Sequence, residues 1–144
     1  MKVEIFNMCD FAQADSVGKL NILGIFSVIH AAQFPATHGL CALAIKLRFD
    51  KSEEGIKKFK ISLIDSDGKS IMPPTEAQVH VRIPPNEPHA NIQIVTLFPQ
   101  LTFPHFGEYS VDLNIDGRQE ASTPIFLKQA PTIPPHLQPP PKMA

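Results

Sequence analysis

GEYSVDLNIDG, residues 107–117, decides the fold. Tyr109, Val111, Leu113 and Ile115 alternate with Glu108, Ser110, Asp112 and Asn114. Period two puts one set of side chains on each face of a strand, one buried and one wet. Asp116-Gly117 then offers the positive-φ positions of a tight hairpin, and Gln119–Leu127 can return antiparallel. The unit predicts an antiparallel sheet, one layer of a β-sandwich.

The same period recurs outward from that hairpin. Val3 and Ile5 alternate with Lys2 and Glu4, predicting a first strand that ends near Cys9. Asp15–Gly18 is a turn cluster, and Lys19–Ala32 reads as one more continuously apolar strand, bent at Gly24. Phe34 to Gly39 is a loop. Cys41, Leu43, Ile45, Leu47 and Phe49 form an inward stripe, with Ala42, Ala44, Lys46 and Arg48 facing the other way. KSEEG at 51–55 is a solvated turn, and Phe59, Ile61 and Leu63 form the next stripe. Asp67-Gly68 closes a hairpin into a short strand around Ile71. Ala77 to Ile83 and Asn91 to Phe98 are further strands, followed by a Pro99–Pro104 connection. The expectation is an all-β, antiparallel β-sandwich of about 8–9 strands at sandwich spacing.

The composition changes after Gln129. Residues 131–144 read PTIPPHLQPPPKMA and contain six prolines. Such a segment buries too little apolar surface to fold alone, so a disordered, polyproline-prone tail is expected. The predicted organisation is a sandwich domain over 1–129 and a flexible Pro-rich tail over 130–144. Pro131-Thr132-Ile133-Pro134 has the PxxP spacing that docks in aromatic grooves, but that spacing arises readily in any proline-rich run.

With 144 residues the chain is long enough to build a core without a metal or disulfide. The hydrophobic share is 43%, the charged share 19% and the net charge −1. A near-neutral chain lacks the field that gathers a polyanion, so no nucleic acid partner is expected. The longest apolar run, near Leu20–Ala32, is interrupted by Asn21, Gly24, Ser27 and His30. It falls short of the roughly 18 residues of a membrane helix, so no membrane partner is expected. MKVEIF runs directly into an alternating strand with no secretory pattern, and cytoplasmic residence is the expectation. Cys9 and Cys41 then read as free thiols packed as small apolar residues.

One detail resembles an immunoglobulin-like domain. Tyr109 opens the penultimate strand, two residues before Val111. In antibody domains a tyrosine in that place anchors a corner and a cysteine follows two residues later. Here valine takes the cysteine position and the chain has no tryptophan, so the usual core pin is missing. The chain also resembles a family of uncharacterised bacterial proteins of similar length, a domain of unknown function. The resemblance rests on MKVEIFNMCDFA at 1–12, GKLNILGIF at 18–26, LRFDKSEEG at 47–55, LIDSDGK at 63–69 and GEYSVDLNIDGRQEAS at 107–122. It implies a soluble β domain and brings no activity, cofactor or site residue.

Candidate chemistry is sparse. Asp65-Ser66-Asp67-Gly68 begins like a calcium loop, and Glu76 falls at position twelve. Pro73 and Pro74 intervene, Lys69 takes position five and the glycine is displaced, so a turn is the simpler reading. Of six histidines, His38 lies near Cys41 as half a zinc site, without a second pair. His80, His89 and His105 converge only if their strands are neighbours. Cys9 or Cys41 with His30 or His38 can be drawn as a nucleophile pair, but cysteines in alternating strands are normally buried and inert. Lys51, Lys57, Lys58 and Lys60 form a local basic patch offset by Glu53 and Glu54. No catalytic residue, metal or cofactor is assigned.

The sequence therefore points to a non-catalytic interaction module that presents loops or a sheet edge to a protein partner or to itself. The alternative is a small-ligand or carbohydrate-binding sandwich. Phe103 and Phe106, around Pro104-His105, are then the suspected loop aromatics. A metal-dependent enzyme using histidines is the third reading.

Overall fold

A computed structural model describes residues 1–131 and 134–141. Among them run eleven strands: β1 (Lys2–Ala14), β2 (Leu20–Ile25), β3 (Val28–Ala31), β4 (Ala36–His38), β5 (Cys41–Asp50), β6 (Gly55–Asp65), β7 (Thr75–Val81), β8 (His89–Phe98), β9 (Leu101–Phe103), β10 (Gly107–Ile115) and β11 (Arg118–Gln129). The strand order is β2-β1-β5-β8 in one sheet and β3-β11-β10-β6-β7 in the other, with β4-β9 as a small third sheet. The protein is all-β.

The two large sheets face each other across one core. Phe6, Met8, Leu43, Ile45 and Leu47 come from the four-stranded sheet. Phe59, Ile61, Leu63, Val111, Leu113 and Ile125 come from the five-stranded sheet. The β5, β6 and β10 residues are the stripes that alternation marks, and each fully buried aliphatic contributes about 1.5–3 kcal/mol. In β1 the expectation of Val3 and Ile5 inward and an end near Cys9 fails. A register shift between Val3 and Ile5 turns Phe6 and Met8 into the core and Ile5 to the other face, and the strand runs on to Ala14. The hairpin at Asp116-Gly117 forms as its sequence demands, with φ of 50° and 83° at the two residues.

The region 19–32 departs from the expected single strand. Gly24 adopts φ 69°, and the chain leaves the four-stranded sheet after β2 to enter the five-stranded one as β3. It arrives alongside β11 running in the same direction, so β3–β11 is a parallel pair in an otherwise antiparallel structure. The split of this region, together with β4 and β9 in segments read as connections, raises the count above nine. The short strand expected around Ile71 reduces to one bridge between Ile64 and Ser70. Pro73-Pro74 follows at once and offers no N–H to extend it.

Ala42 and Ala44 point away from the main core, as the alternation requires, yet both are fully buried. They form a second cluster with Cys9 and Ala12, flanked by Ile5, Leu20, Ile22 and Val95. The distal β1–β2 hairpin curls over the outer face of β5, and its turn reaches Gln93 on β8. Alanine at both positions leaves room for that second layer.

The four-and-five strand arrangement differs from the four-and-three sheets of an antibody constant domain. Cys9 and Cys41 are both free and lie in adjacent strands of one sheet, so no inter-sheet bridge pins the core. Among the described residues after β11 there is one 3-10 turn, at Pro135–Leu137. Thr132 and Ile133 of the PxxP spacing lie outside the described residues, as do residues 142–144.

Candidate functional site

Two hairpin turns share one sequence pattern, DSVGK at 15–19 and DSDGK at 65–69. In each, the leading Asp accepts two backbone N–H groups through its Oδ1. Asp15 takes those of Val17 at 3.0 Å and Lys19 at 2.9 Å. Asp65 takes those of Asp67 and Lys69, both at 2.9 Å. In each the glycine, Gly18 or Gly68, holds φ 80°. This is a side-chain-capped turn, and it uses the Asp65 oxygen that a calcium ion would need. Glu76, the required distal ligand, instead sits on β7 opposite Lys60.

The second copy of the turn is built into a larger cluster. Asp65 is 8% exposed, and its Oδ2 lies 3.7 Å from Nε2 of His105. The amide of Lys69, then those of Asp67 and the ring of His105, hold the Asp65 carboxyl below the ordinary carboxylate value against the opposing effect of burial. His105 Nδ1 stands 2.9 Å from the carbonyl of Phe106. Tyr109 completes the cluster from β10. Its hydroxyl donates to the His105 carbonyl at 2.8 Å and accepts the His105 N–H at 3.2 Å. Its ring stacks on His105 at 5.3 Å and meets Phe103 edge-on at 5.0 Å. Burial pushes the Tyr109 phenol up. A cleft of about 390 Å³ lies beside the cluster, lined by Asp65, Lys69, Ser70, Ile71, Thr102 and His105.

The suspected loop aromatics separate. Phe103 belongs to β9 and is fully buried against Tyr109, so its ring cannot stack on a ligand. The prolines at 99 and 104 give the segment around Phe103 a loop-like sequence, which masks its place in a three-residue strand. His105 and Phe106 are exposed, and Phe106 packs edge-on against Phe34 at 3.9 Å. The site thus retains His105 and Phe106 and gains Asp65 and Tyr109.

The remaining histidines scatter. His30, His80 and His89 are exposed on β3, β7 and β8, and His136 is exposed in the C-terminal turn. His38 is half-buried, with its ring 5.5 Å from that of Phe26. Among the described residues no three His, Cys, Asp or Glu side chains gather as metal ligands. Cys9 and Cys41 are wholly buried. Burial pushes the Cys41 thiol up to about 11 and also raises Cys9, so neither is a ready nucleophile. No helix among the described residues is long and apolar enough to cross a membrane.

A different surface carries the exposed apolar groups. Nine large hydrophobic side chains are exposed among the described residues, and four of them, Phe11, Val17, Leu23 and Ile25, belong to the β1–β2 hairpin. Phe11 and Leu23 are direct cross-strand partners, and Ile25 follows opposite Cys9. β2 ends its sheet, so its outer backbone edge is open. Its sequence, LNILGI, has none of the charges or prolines that usually protect such an edge.

No curated protein matches the chain. Solved structures that are similar in part include the following two. One is a glycosyl hydrolase family 2 member from Bacteroides cellulosilyticus DSM 14838, at 12% identity and TM-score 0.39, covering 60% of this chain and 12% of that one. The other is the alkylpurine DNA glycosylase AlkC of Pseudomonas fluorescens bound to DNA containing an abasic site analog. It has 13% identity and TM-score 0.41, covering 71% of this chain and 28% of that one. Both likenesses are too slight to inform function. A model of a family of unknown function, DUF6941, matches residues 4–128, which include nearly every strand residue of the two large sheets. The chain belongs to that family.

Proposed function

We propose that the protein is a non-catalytic interaction module that pairs with a second copy of itself through the β2 edge. The supporting observation is the concentration of exposed apolar side chains on one hairpin beside an open strand. Phe11, Leu23 and Ile25 are 45%, 68% and 59% exposed. A two-fold axis beside β2 would join two four-stranded sheets into one of eight strands. It would also set the β2 apolar side chains of the two copies beside each other across the seam, as an isologous interface requires. With a net charge of −1 the two copies repel each other weakly. A cytoplasmic setting fits two free, buried thiols.

The test is sedimentation equilibrium of the full chain over a concentration series, beside Leu23→Glu. The expected result is a dimer whose dissociation Leu23→Glu promotes without changing the circular dichroism. A parent that stays monomeric throughout the series overturns self-pairing and leaves the edge to a different protein.

A second reading places a small ligand in the cleft beside His105. The Asp65–His105 pair on the cleft wall favours it, while Phe106, 44% exposed, does not line that cleft. It ranks second because Phe34 already occupies part of the Phe106 ring.

A further inference from the structure

Two groups on the wall of the cleft beside His105 set their lone pairs against each other. His105 Nδ1 stands 2.9 Å from the Phe106 carbonyl and 3.2 Å from the Tyr109 hydroxyl. The carbonyl can only accept, and the hydroxyl gives its own proton to the His105 carbonyl. Both neighbours of Nδ1 are therefore acceptors. In the neutral ring Nδ1 carries the proton and Nε2 keeps a lone pair.

Asp65 is fixed in a similar way. Its Oδ1 accepts the amides of Asp67 and Lys69, which leaves Oδ2 as the oxygen beside the ring. Oδ2 and Nε2 are 3.7 Å apart, too far for a hydrogen bond. A tetrahedral zinc ion, about 2.1 Å from one nitrogen and one oxygen ligand, holds the two about 3.4 Å apart. A closure of about 0.3 Å meets that spacing. His105 lies exposed in the connection between β9 and β10, where a shift of that size disturbs no core packing. Both residues line the cleft of about 390 Å³, so an ion can reach them from solvent. A hydrogen-bonded Nδ1–H is also the usual support of a metal-bound imidazole.

We propose that His105 Nε2 and Asp65 Oδ2 together bind one divalent transition-metal ion of zinc's kind. Two protein ligands leave its other positions to water, in a cleft that Ser70 and Thr102 also line. The imidazole nitrogen favours zinc, nickel or copper over magnesium and calcium, which take oxygen ligands. Lys69 is on the same wall, and its positive charge disfavours any cation held by the local field alone. The inference rests on the cleft of the second reading and is independent of self-pairing.

The test is titration of the full chain with zinc chloride alone near neutral pH, read from the nitrogen and proton resonances of the histidine rings, with magnesium chloride as the control. Zinc is expected to shift Nε2 of His105 while its Nδ1–H persists. It should do so at a concentration at least about tenfold below that needed for His30 or His80, which are exposed and have no carboxylate partner among the described residues. Magnesium should shift none of them. Asp65→Asn keeps an acceptor for the two amides and removes the charged oxygen, so zinc at His105 should weaken about tenfold. His105→Gln leaves the Asp65 turn intact and should abolish the rise in Tm that zinc gives the parent. A His105 ring that responds no earlier than His30 and His80, an equal response to magnesium, or parent-like zinc binding by Asp65→Asn would each overturn the proposal. Sedimentation reads self-pairing separately, so none of these outcomes bears on the β2 edge.

Discussion

Tyr109→Phe isolates the corner that joins β10 to the preceding loop. The substitution removes one oxygen and keeps a ring that is only 1% exposed. That oxygen makes two backbone hydrogen bonds to His105, at 2.8 and 3.2 Å. A hydrogen bond contributes about 0.5–1.5 kcal/mol net. His105 is exposed, so water can take up its freed backbone groups and the loss per bond falls toward the lower end. The pair should therefore contribute about 1–2 kcal/mol. For a chain of this length that is about 3–8 °C in Tm. Tyr109→Ala also removes the contacts with Phe103 and His105 and should cost about 3–5 kcal/mol. Urea unfolding followed by circular dichroism measures both, with an unchanged denaturant slope expected for Tyr109→Phe. Amide exchange at His105 should quicken in Tyr109→Phe. A parent-like midpoint together with parent-like His105 exchange would refute the corner.

Three other outcomes follow from the same structure. The Asp65 carboxyl is held low, so its stabilisation is present above its unfolded value and disappears as pH falls through the folded one. The parent Tm should drop in acid, while Asp65→Asn should start lower and drop less. Asp15→Asn, in the same turn without the histidine, should be milder, and equal effects would deny His105 its part. Cys41 should resist a thiol reagent near neutral pH until urea is added, because burial raises it to about 11; rapid native labelling would show an exposed thiol. Gly24→Ala should cost about 1–3 kcal/mol, since φ is 69° and the new Cβ would fall on the Asp10 carboxylate. Asp10→Ala should recover part of that loss in urea melts, and no recovery would leave backbone strain as the whole cause.

The core was legible because its signal is local. The stripes at Cys41–Phe49, Phe59–Leu63 and Tyr109–Ile115 place one residue in two inward, and those residues are buried. The Asp116-Gly117 turn was legible for the same reason. The division of 19–32 was not, because an apolar run reads alike whether it stays in one sheet or crosses to another. The exposed Phe11 and Leu23 look like core residues in any alternating strand, and only the curl of β1–β2 over Ala42 and Ala44 turns them outward. Of the loop site, His105 and Phe106 stood out by type. Asp65 was legible as a turn residue, but its approach to His105 depends on β6 and β10 being neighbours, with Tyr109 opposite Asp65 in the register.

Self-pairing through β2 is tested most directly by hydrogen exchange of the full chain at two concentrations that bracket dissociation. The account predicts that the peptide spanning residues 20–25 gains protection at the higher concentration, while the edges at β7 and β8 do not. Protection that is independent of concentration at 20–25, or that appears at β8 instead, would contradict it.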